Sequence, residues 1–212
     1  MSPQSHVQTD AGTPALATVR RTRETPAVRR ARILEAAIDL IGERGYYGLT
    51  IQELGKRCGL SNPGLLHYYP SKHEVMLGLL DELLARETTF MEPLAQMAFE
   101  ARDGDRALSI LYSMAERAMA NPRLARVLVA LHGEALDPAH PAHGWWRERE
   151  ARTLEFLCRL LAPFVDDAAP TARLVLASMD GLFLHWLADR PGIDIAQTWR
   201  SALMRLLPEL HD

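Results

Sequence analysis

The sequence predicts an all-α protein, and three observations support this fold class. Apolar residues recur with the helical period in nearly every segment from Pro26 onward. No stretch shows the alternation and β-branched enrichment that are typical of a strand. Prolines and glycines interrupt the chain at intervals that suit helices of ordinary length. The 212 residues, 48% of them hydrophobic and 24% charged, are enough for one or two domains with a buried core.

The cysteine content and the hydropathy pattern limit the cellular compartment and the kinds of site that we expect. The cysteines Cys58 and Cys158 are too far apart for a CxxC metal pair and too few for a disulfide framework. No apolar run approaches the roughly 20 residues of a membrane-spanning helix, and no apolar segment of a secretion signal follows a basic start. We therefore expect a soluble, cytoplasmic protein.

The first element is predicted to be a flexible tail, and the second a helix. Residues 1–25 are rich in Ser, Thr, Pro, Gln and Ala and show no period. The helix that follows is expected to end at Gly45, a residue suited to a left-handed position after a helix. Its apolar stripe consists of Ile33, Leu34, Ala37, Ile38 and Ile41.

A short second helix is predicted from a capping pattern. The run Thr50-Ile-Gln-Glu53 has the form of a capping box. In this motif the threonine hydroxyl accepts a hydrogen bond from the third backbone N–H, and the glutamate side chain reaches back to the first. The helix is therefore expected to start at Thr50 and to end before Gly59.

The third and fourth helices are marked in the same way. Ser61 or Asn62 can cap the third helix, with Pro63 in its first turn, where a missing N–H costs nothing. Pro70 is expected to end this helix. The run Ser71-Lys-His-Glu74 is a second capping box and begins a long fourth helix.

Prolines and glycines divide the rest of the chain into further helices. The segment 174–187 is apolar on nearly every face, so it is either a central core helix or a helix between its own domain and a second subunit. The predicted helices lie near 72–102, with a kink at Pro93, and near 105–119, 122–135, 145–165, 171–189 and 194–207.

The second and third helices, joined by a glycine-containing turn, are typical of a helix-turn-helix. In such a unit the first helix crosses the phosphate backbone and the second enters the major groove. An ordinary helical hairpin with these side chains on its surface is the alternative. Leu65 and Tyr69 are expected to face inward. The residues expected to face outward are Asn62, Gly64, Leu66, His67 and Tyr68.

Three stretches, Arg32–Gly45, Thr50–Ser61 and Gly64–Lys72, carry a family resemblance. Together they resemble the N-terminal domain of the TetR family of bacterial transcriptional regulators, over residues 26 to about 85. The resemblance implies an all-α homodimer of nine or ten helices. The first three helices would bind DNA, the fourth would link two domains, and the last two long helices would form the dimer interface. It also implies a ligand cavity in the C-terminal domain whose occupancy releases DNA.

The resemblance assigns regions and DNA contacts. It implies a flexible tail at 1–25, a DNA-binding domain at 26–72, and a ligand-binding and dimerisation domain at 73–212. Thr50 and Lys72 lie at helix N-termini, where hydroxyl, amide and ammonium groups meet phosphates. The family often has a tyrosine at the position of Leu66, so one phosphate contact is expected to be missing. The candidate DNA-binding residues are Thr50, Gln52, Ser61, Asn62, Pro63, Gly64, Leu66, His67, Tyr68 and Lys72.

The formal net charge of −3 argues at first against a nucleic-acid partner. Its distribution reverses that argument, because the segment Arg20–Lys72 carries ten Lys and Arg against five Asp and Glu. The rest of the chain carries 14 against 22 and would repel DNA. The basic cluster Arg20–Arg32 is either an arm that enters the minor groove or solvated disorder.

Large, semi-polar side chains in the C-terminal region are the candidates for a ligand pocket. Pockets are mostly apolar with a few placed polar groups, and this set has that mixture. Each of these residues alone is also compatible with an ordinary core or interface. The candidate ligand-binding residues are Tyr112, Met114, His132, Trp145, Trp146, Phe156, Met179 and Phe183, with His185 and Trp186 nearby.

No metal site, cofactor or catalytic centre is expected. His132, His140 and His143 are close in sequence, but none forms a helical i, i+4 pair, and a solvated loop is the preferred interpretation of 137–144. The chain has no GxSxG, HExxH or Walker motif, and no strands to support a sheet-based nucleotide site.

Together these patterns predict a ligand-responsive repressor that binds a pseudo-palindromic operator as a homodimer and leaves it when a small-molecule effector binds. An activator or an effector-independent DNA-binding protein is the first alternative. An all-α enzyme is a remote second alternative, since it needs convergent titratable residues in a cleft.

Overall fold

The computed structural model describes residues 24–100, 103–189 and 192–210. In these ranges the chain forms nine α-helices and no strand, which confirms the all-α prediction. The predicted tail and the basic residues Arg20, Arg21 and Arg23 lie outside the described ranges. The helices are α1 (Pro26–Gly48), α2 (Ile51–Cys58), α3 (Asn62–Leu66), α4 (Lys72–Glu100), α5 (Gly104–Ala120), α6 (Pro122–Glu134), α7 (His143–Leu161), α8 (Ala168–Ala188) and α9 (Ile195–Leu206), followed by a 3-10 turn at Pro208–Leu210.

The N-terminal helices begin where the capping patterns predict. The Thr50 hydroxyl accepts from the backbone N–H of Glu53 at 3.1 Å, and the Ser61 hydroxyl accepts from that of Gly64 at 3.2 Å. Ser71 does the same for Glu74 at 3.1 Å. These side chains satisfy N–H groups that have no partner inside their helices. The helix-turn-helix prediction is confirmed, with α2 and α3 as its two helices.

Two glycines set the backbone direction around this unit. Gly59 ends α2 in the left-handed conformation, with φ 61°. Gly45 has φ 71° and ψ 176°, a conformation that other residues adopt at a cost. At Gly45 the chain kinks and then makes one more turn to Gly48, so α1 extends past its predicted end.

Some helix ends differ from the predicted ones. The third helix ends at Leu66 instead of continuing to Pro70, and residues 67 and 68 form a turn. The helix α7 begins at His143 and ends at Leu161, four residues before its predicted end. Pro93 lies inside α4 without ending it. None of the helices in the described ranges is both long and apolar enough to cross a membrane.

The described residues form two main hydrophobic cores. The first core joins α1–α4 to residues of α6 and to Trp146 at the start of α7. The second core joins α5 and the later part of α7 to α8 and α9, around the buried Trp199. The Trp199 indole N–H donates to the Leu111 carbonyl at 3.0 Å, which fixes α9 against α5. The helix α6 therefore belongs to the same core as the helix-turn-helix, although it lies well after it in the sequence.

Candidate DNA-binding surface and effector cavity

The exposed face of α3 and the turn after it carry four of the ten predicted DNA contacts. Asn62, Pro63, Leu66 and His67 are exposed, while Leu65 is fully buried and holds the helix to the first core. Amide and apolar groups on this short helix, with the imidazole of the turn after it, suit base edges in a major groove. Tyr68 differs from this set because it is half-buried and packs against the core, with the His67 ring edge-on at 5.4 Å.

The N-terminal ends of α2 and α3 present hydroxyl groups on the same unit. Thr50, Gln52 and Ser61 are exposed, and Gly64 is partly buried beneath the Ser61 hydroxyl. Each capping hydroxyl uses its oxygen as an acceptor within its own helix. Because a hydroxyl also has one hydrogen to donate, both groups remain able to donate to a phosphate.

The side chain of Lys72 is only partly exposed, and it makes more contacts within the protein than its predicted phosphate contact requires. Its ammonium donates to the Tyr47 carbonyl at 3.1 Å and lies 4.3 Å from the centre of the Tyr46 ring. Burial lowers the pKa of this ammonium, and the nearby Glu134 carboxylate opposes that effect. Lys72 therefore connects α4 to the end of α1, and a phosphate would have to compete with these contacts.

Other basic residues of the DNA-binding domain are more accessible. Arg30, Arg44 and Lys56 are exposed and form no ion pair with another described residue. In contrast, Arg57 ion-pairs with Glu43 at 2.6 Å. A phosphate would meet less competition at the first three side chains. The sequence did not distinguish them from Arg57, because its partner Glu43 lies on a different helix.

A cavity of about 440 Å³ lies between α4, α5, α6, α7 and α8. This volume is in the range of small-molecule sites. Most of its wall is apolar, formed by aromatic, methionine and leucine side chains. Six of the eight predicted ligand residues line it, namely Met114, His132, Trp145, Trp146, Met179 and Phe183.

The other two predicted ligand residues lie elsewhere. Tyr112 and Phe156 pack against the second core, and Arg200 lies 5.4 Å from the centre of the Tyr112 ring. Both side chains are therefore part of the packing between helices. Aromatic character alone did not separate a cavity wall from a core in this region.

Four charged residues that the sequence did not select as ligand residues also line the cavity. They are Glu87, Arg117, Arg149 and Asp180. Arg149 ion-pairs with Glu87 at 3.0 Å, and its guanidinium lies 5.0 Å from the centre of the Trp146 ring. Asp180 had a signal in the sequence, since it interrupts an almost continuous apolar segment. Arg117 and Arg149 had none, because a charge on an amphipathic helix is usually solvated.

Asp180 and His132 form a second polar part of the cavity. Burial raises the pKa of the Asp180 carboxyl, while His132 and then Arg149 act in the opposite direction. The His132 ring stacks on Trp146 with 4.6 Å between the ring centres. The indole Nε1 of Trp145 is buried and has no hydrogen-bond partner among the residues that the structure describes. Buried polar groups of this kind cost free energy unless a partner is supplied.

A cluster of polar and aromatic side chains joins α6 to the DNA-binding domain. This linking cluster consists of Tyr46, Tyr47, Lys72, Glu134 and His140. Glu134, at the end of α6, accepts a hydrogen bond of 2.7 Å from the Tyr46 backbone N–H just after the Gly45 kink. The His140 ring lies edge-on to Tyr46 and to Tyr47, at 4.9 and 5.7 Å between ring centres.

The three histidines near 132–143 occupy three separate environments. His132 lines the cavity, and the His143 ring contacts the Ala135 carbonyl at 2.8 Å. The expectation of a solvated loop is wrong for His140, which is only 3% exposed and accepts from the Ala142 N–H at 3.1 Å. Among the residues described, no group of three or more His, Cys, Asp or Glu is arranged to hold a metal ion.

Comparison with protein families agrees with the helix-turn-helix geometry. Residues 33–79 match the family described as bacterial regulatory proteins, tetR family. The match covers α2 and α3 completely, together with parts of the flanking helices α1 and α4. It therefore falls on the part of the chain that carries the candidate DNA-binding residues.

Two similar proteins and one similar structure extend this finding. The nucleoid occlusion factor SlmA of Haemophilus influenzae is 29% identical over 72% of this chain, which spans 66% of SlmA. The HTH-type transcriptional regulator RutR of Escherichia coli is 32% identical over 38% of this chain and 40% of RutR. The regulator FadR of Bacillus subtilis, solved in complex with stearoyl-CoA, has the same fold with a TM-score of 0.66. It is 17% identical, and the alignment covers 84% of this chain and 97% of FadR.

Proposed function

We propose that this chain, which belongs to the TetR family of transcriptional regulators, is a ligand-responsive repressor. In this proposal a homodimer binds a pseudo-palindromic operator and leaves it when an effector occupies the cavity. The position of α6 carries the proposal, because this helix forms one wall of the cavity and also packs along α1 of the DNA-binding domain. An effector that changes the position of α6 changes the support of the helix-turn-helix as well.

The DNA-binding step is assigned to α3 and the helix ends beside it. We propose that Asn62 and His67 reach base edges in the major groove, while Pro63 and Leu66 offer apolar contacts to thymine methyl groups. The exposed ends of α2 and α3 would bind phosphates through Thr50 and Ser61. Half-sites about one helical turn apart, roughly 34 Å, would serve a two-fold dimer.

The dimer is assigned to α8 and α9. Leu174 and Leu184 on α8 are 57% and 55% exposed, and Met204 on α9 is 58% exposed. Gly181 lies between the two leucines, with open space where a β-carbon would be, and both Gly181 and Leu184 also border the cavity. A close approach by the same helix of a second copy would bury these side chains.

The effector step is assigned to the cavity. FadR, with the same fold, was solved with stearoyl-CoA, which supports the proposal that the cavity of this chain also takes a molecule with a large apolar part. We propose that residues 26–72 bind DNA and residues 73–212 bind the effector and the second subunit. The protein would act in the cytoplasm, without a catalytic role.

Band-shift titrations on the DNA upstream of its own gene test the proposal. The protein should give a salt-sensitive complex with a palindromic segment, since phosphate contacts release counterions. His67→Ala should weaken this complex about tenfold or more, because a lost base contact costs roughly 1–3 kcal/mol. His73→Ala, an exposed histidine on α4, is the matched control and should bind as the unmodified protein does. Absence of salt-sensitive binding to any palindrome there would refute the proposal.

A second candidate function follows from the similarity to SlmA, which is named a nucleoid occlusion factor. In that case the chain would bind many sites along a chromosome instead of one upstream operator. Chromatin immunoprecipitation separates the two, since a local repressor gives few peaks near promoters. The effector assay separates them further, because only the first proposal needs release by a small molecule.

A further inference from the structure

Arg117 and Arg149 line the cavity, Arg86 lies close to Arg117, and the three arginines differ in their counter-charges. Arg86 ion-pairs with two carboxylates, those of Glu35 and Glu82. Arg149 ion-pairs with Glu87. Arg117 has no carboxylate within ion-pair distance in the part of the chain that the structure describes. Its contacts there are a hydrogen bond of 2.9 Å to the Arg86 carbonyl and the Phe90 ring, 4.3 Å from the guanidinium.

The surroundings of Arg117 increase the free-energy cost of leaving its charge without a counter-charge. Burial lowers the pKa of its guanidinium, Glu87 opposes this effect, and Arg149 and Arg86 add to it by repulsion. An arginine remains protonated in proteins despite such effects. Arg117 is partly buried, so its charge without a carboxylate partner costs free energy, and an anion that binds beside it recovers part of that cost. The guanidinium also has five N–H donors, of which the structure assigns one.

The rest of the cavity wall suits the apolar part of the same ligand. The apolar surface of the cavity that Arg117 also lines is provided by Phe90, Met91, Met114, Leu128 and Phe183. A cationic ligand fits less well, because it would lie near two guanidinium groups. Asp180 and His132 also line the cavity, and their side chains can hydrogen-bond a polar group of the ligand.

We infer that the effector is an apolar molecule that carries one anionic group, and that this group binds the guanidinium of Arg117. The inference rests on the proposed function, because it names the class of molecule that the cavity takes. A carboxylate, sulfonate or phosphate on an aromatic or aliphatic body satisfies it. Arginine binds such planar or tetrahedral anions with charge-assisted hydrogen bonds.

Two fluorescent probes with nearly the same apolar body test this inference. Anilinonaphthalene sulfonate carries an anionic group, and N-phenylnaphthylamine lacks it. We expect the full-length protein to bind the sulfonate at least about tenfold more tightly, which corresponds to about 1.4 kcal/mol. Decanoate should displace the sulfonate probe, and decyltrimethylammonium should not.

Substitution of Arg117 tests whether this residue causes the tighter binding of the anionic probe. Arg117→Met keeps a long apolar side chain and should weaken sulfonate binding about tenfold, with binding of the neutral probe changed by less than about twofold. Arg117→Lys keeps the charge and should retain part of the preference. Arg152→Met, at an exposed position on α7 outside the cavity, is the matched control.

Several outcomes overturn the inference. They are equal affinities of the unmodified protein for the two probes, binding of neither probe, displacement by the cation instead of the anion, and a sulfonate affinity that Arg117→Met leaves unchanged. The comparison of the two probes on the unmodified protein needs no variant, so a poorly folded Arg117→Met does not remove the test.

Failure of this inference is distinguishable from failure of the proposed function. If the band shifts show operator binding and the probes show no anionic preference, only the class of effector is wrong. If the probes show the preference and the band shifts show no operator binding, the DNA-binding proposal fails and the anion site remains.

Discussion

The linking cluster and the cavity contain similar side chains, but their charged groups differ in the partners that they have within the fold. Each has a cation over an aromatic ring, namely Lys72 over Tyr46 and Arg117 over Phe90. Each also has a histidine and a carboxylate. In the linking cluster Lys72 and Glu134 bind backbone groups across helices, and only the Nε2 atom of His140 is buried there without a hydrogen-bond partner among the described residues. In the cavity the Arg117 guanidinium has no carboxylate partner within the described ranges, and it borders about 440 Å³ of space.

This difference separates a structural polar cluster from a binding site. A buried polar group that contributes to stability has its hydrogen bonds made within the fold. A buried polar group that serves a ligand leaves them open, and the protein is less stable until the ligand arrives. Substitutions in the linking cluster should therefore destabilise the fold, while selected substitutions in the cavity should stabilise it.

The largest expected effect is at the kink beside the linking cluster. Gly45→Ala places a β-carbon in a conformation that favours glycine and against the carboxylate of Glu134. Strain and a disturbed hydrogen bond together should lower the free energy of unfolding by about 2–4 kcal/mol. Urea denaturation measures this change in the free energy of unfolding. Gly133→Ala, inside α6 with open space around it, is the control and should stabilise by up to about 1 kcal/mol. Equal effects of the two variants would contradict the role given to the kink.

The next largest effect is expected from the carboxylate itself. Glu134→Ala removes the acceptor of the Tyr46 N–H and should cost about 1–3 kcal/mol, the range for a buried donor left without a partner. Glu134→Gln keeps an acceptor oxygen and should cost less. Thermal unfolding followed by circular dichroism measures both. A glutamine variant that loses as much as the alanine variant would mean that charge, not the hydrogen bond, holds α6 to α1.

In the cavity a substitution should stabilise the protein. Since burial raises the pKa of Asp180, its ionised form destabilises the fold at neutral pH, and this cost disappears as the pH falls through the folded and then the unfolded pKa. Asp180→Asn should therefore be more stable than the unmodified protein at pH 7, with the difference shrinking in acid. Unfolding curves across this pH range measure it. A constant difference at all pH values would rule out ionisation as the cause.

The smallest expected effect is a change of pH dependence in the linking cluster. Because burial lowers the pKa of His140, the unfolded chain takes up a proton before the folded one does. Stability should fall as the pH drops through the ordinary histidine range, near 6.5, towards the lowered pKa of the folded state. Charged groups facing His140 include Glu134, Asp137 and Lys72. His140→Gln should flatten this slope in a series of melting temperatures, with the exposed His73→Gln as the matched control. An unchanged slope would contradict the assignment.

The features that the sequence predicted well are local. Thr50, Ser61 and Ser71 cap helices whose first turns lie within three residues, so the relevant atoms are fixed by adjacent positions. The apolar stripe of α1 likewise follows from helix geometry alone. The fold class and the helix-turn-helix were predictable for this reason.

The features that the sequence missed depend on residues far apart in the chain. Glu134 and Tyr46 are separated by 88 positions, and nothing near either one indicates the other. Similarly, Arg117 differs from an ordinary surface arginine only through the helices packed around it. His140 was expected in a solvated loop because the rings that bury it come from α1.

The position of α6 has a consequence for measurement. If an effector in the cavity changes the affinity for DNA by some factor, then DNA must change the affinity for that effector by the same factor. A fluorescent probe titrated with and without an operator duplex therefore measures the coupling between the two sites without following DNA release. Because the two directions must give the same number, either titration alone measures the coupling free energy between the cavity and the DNA-binding surface.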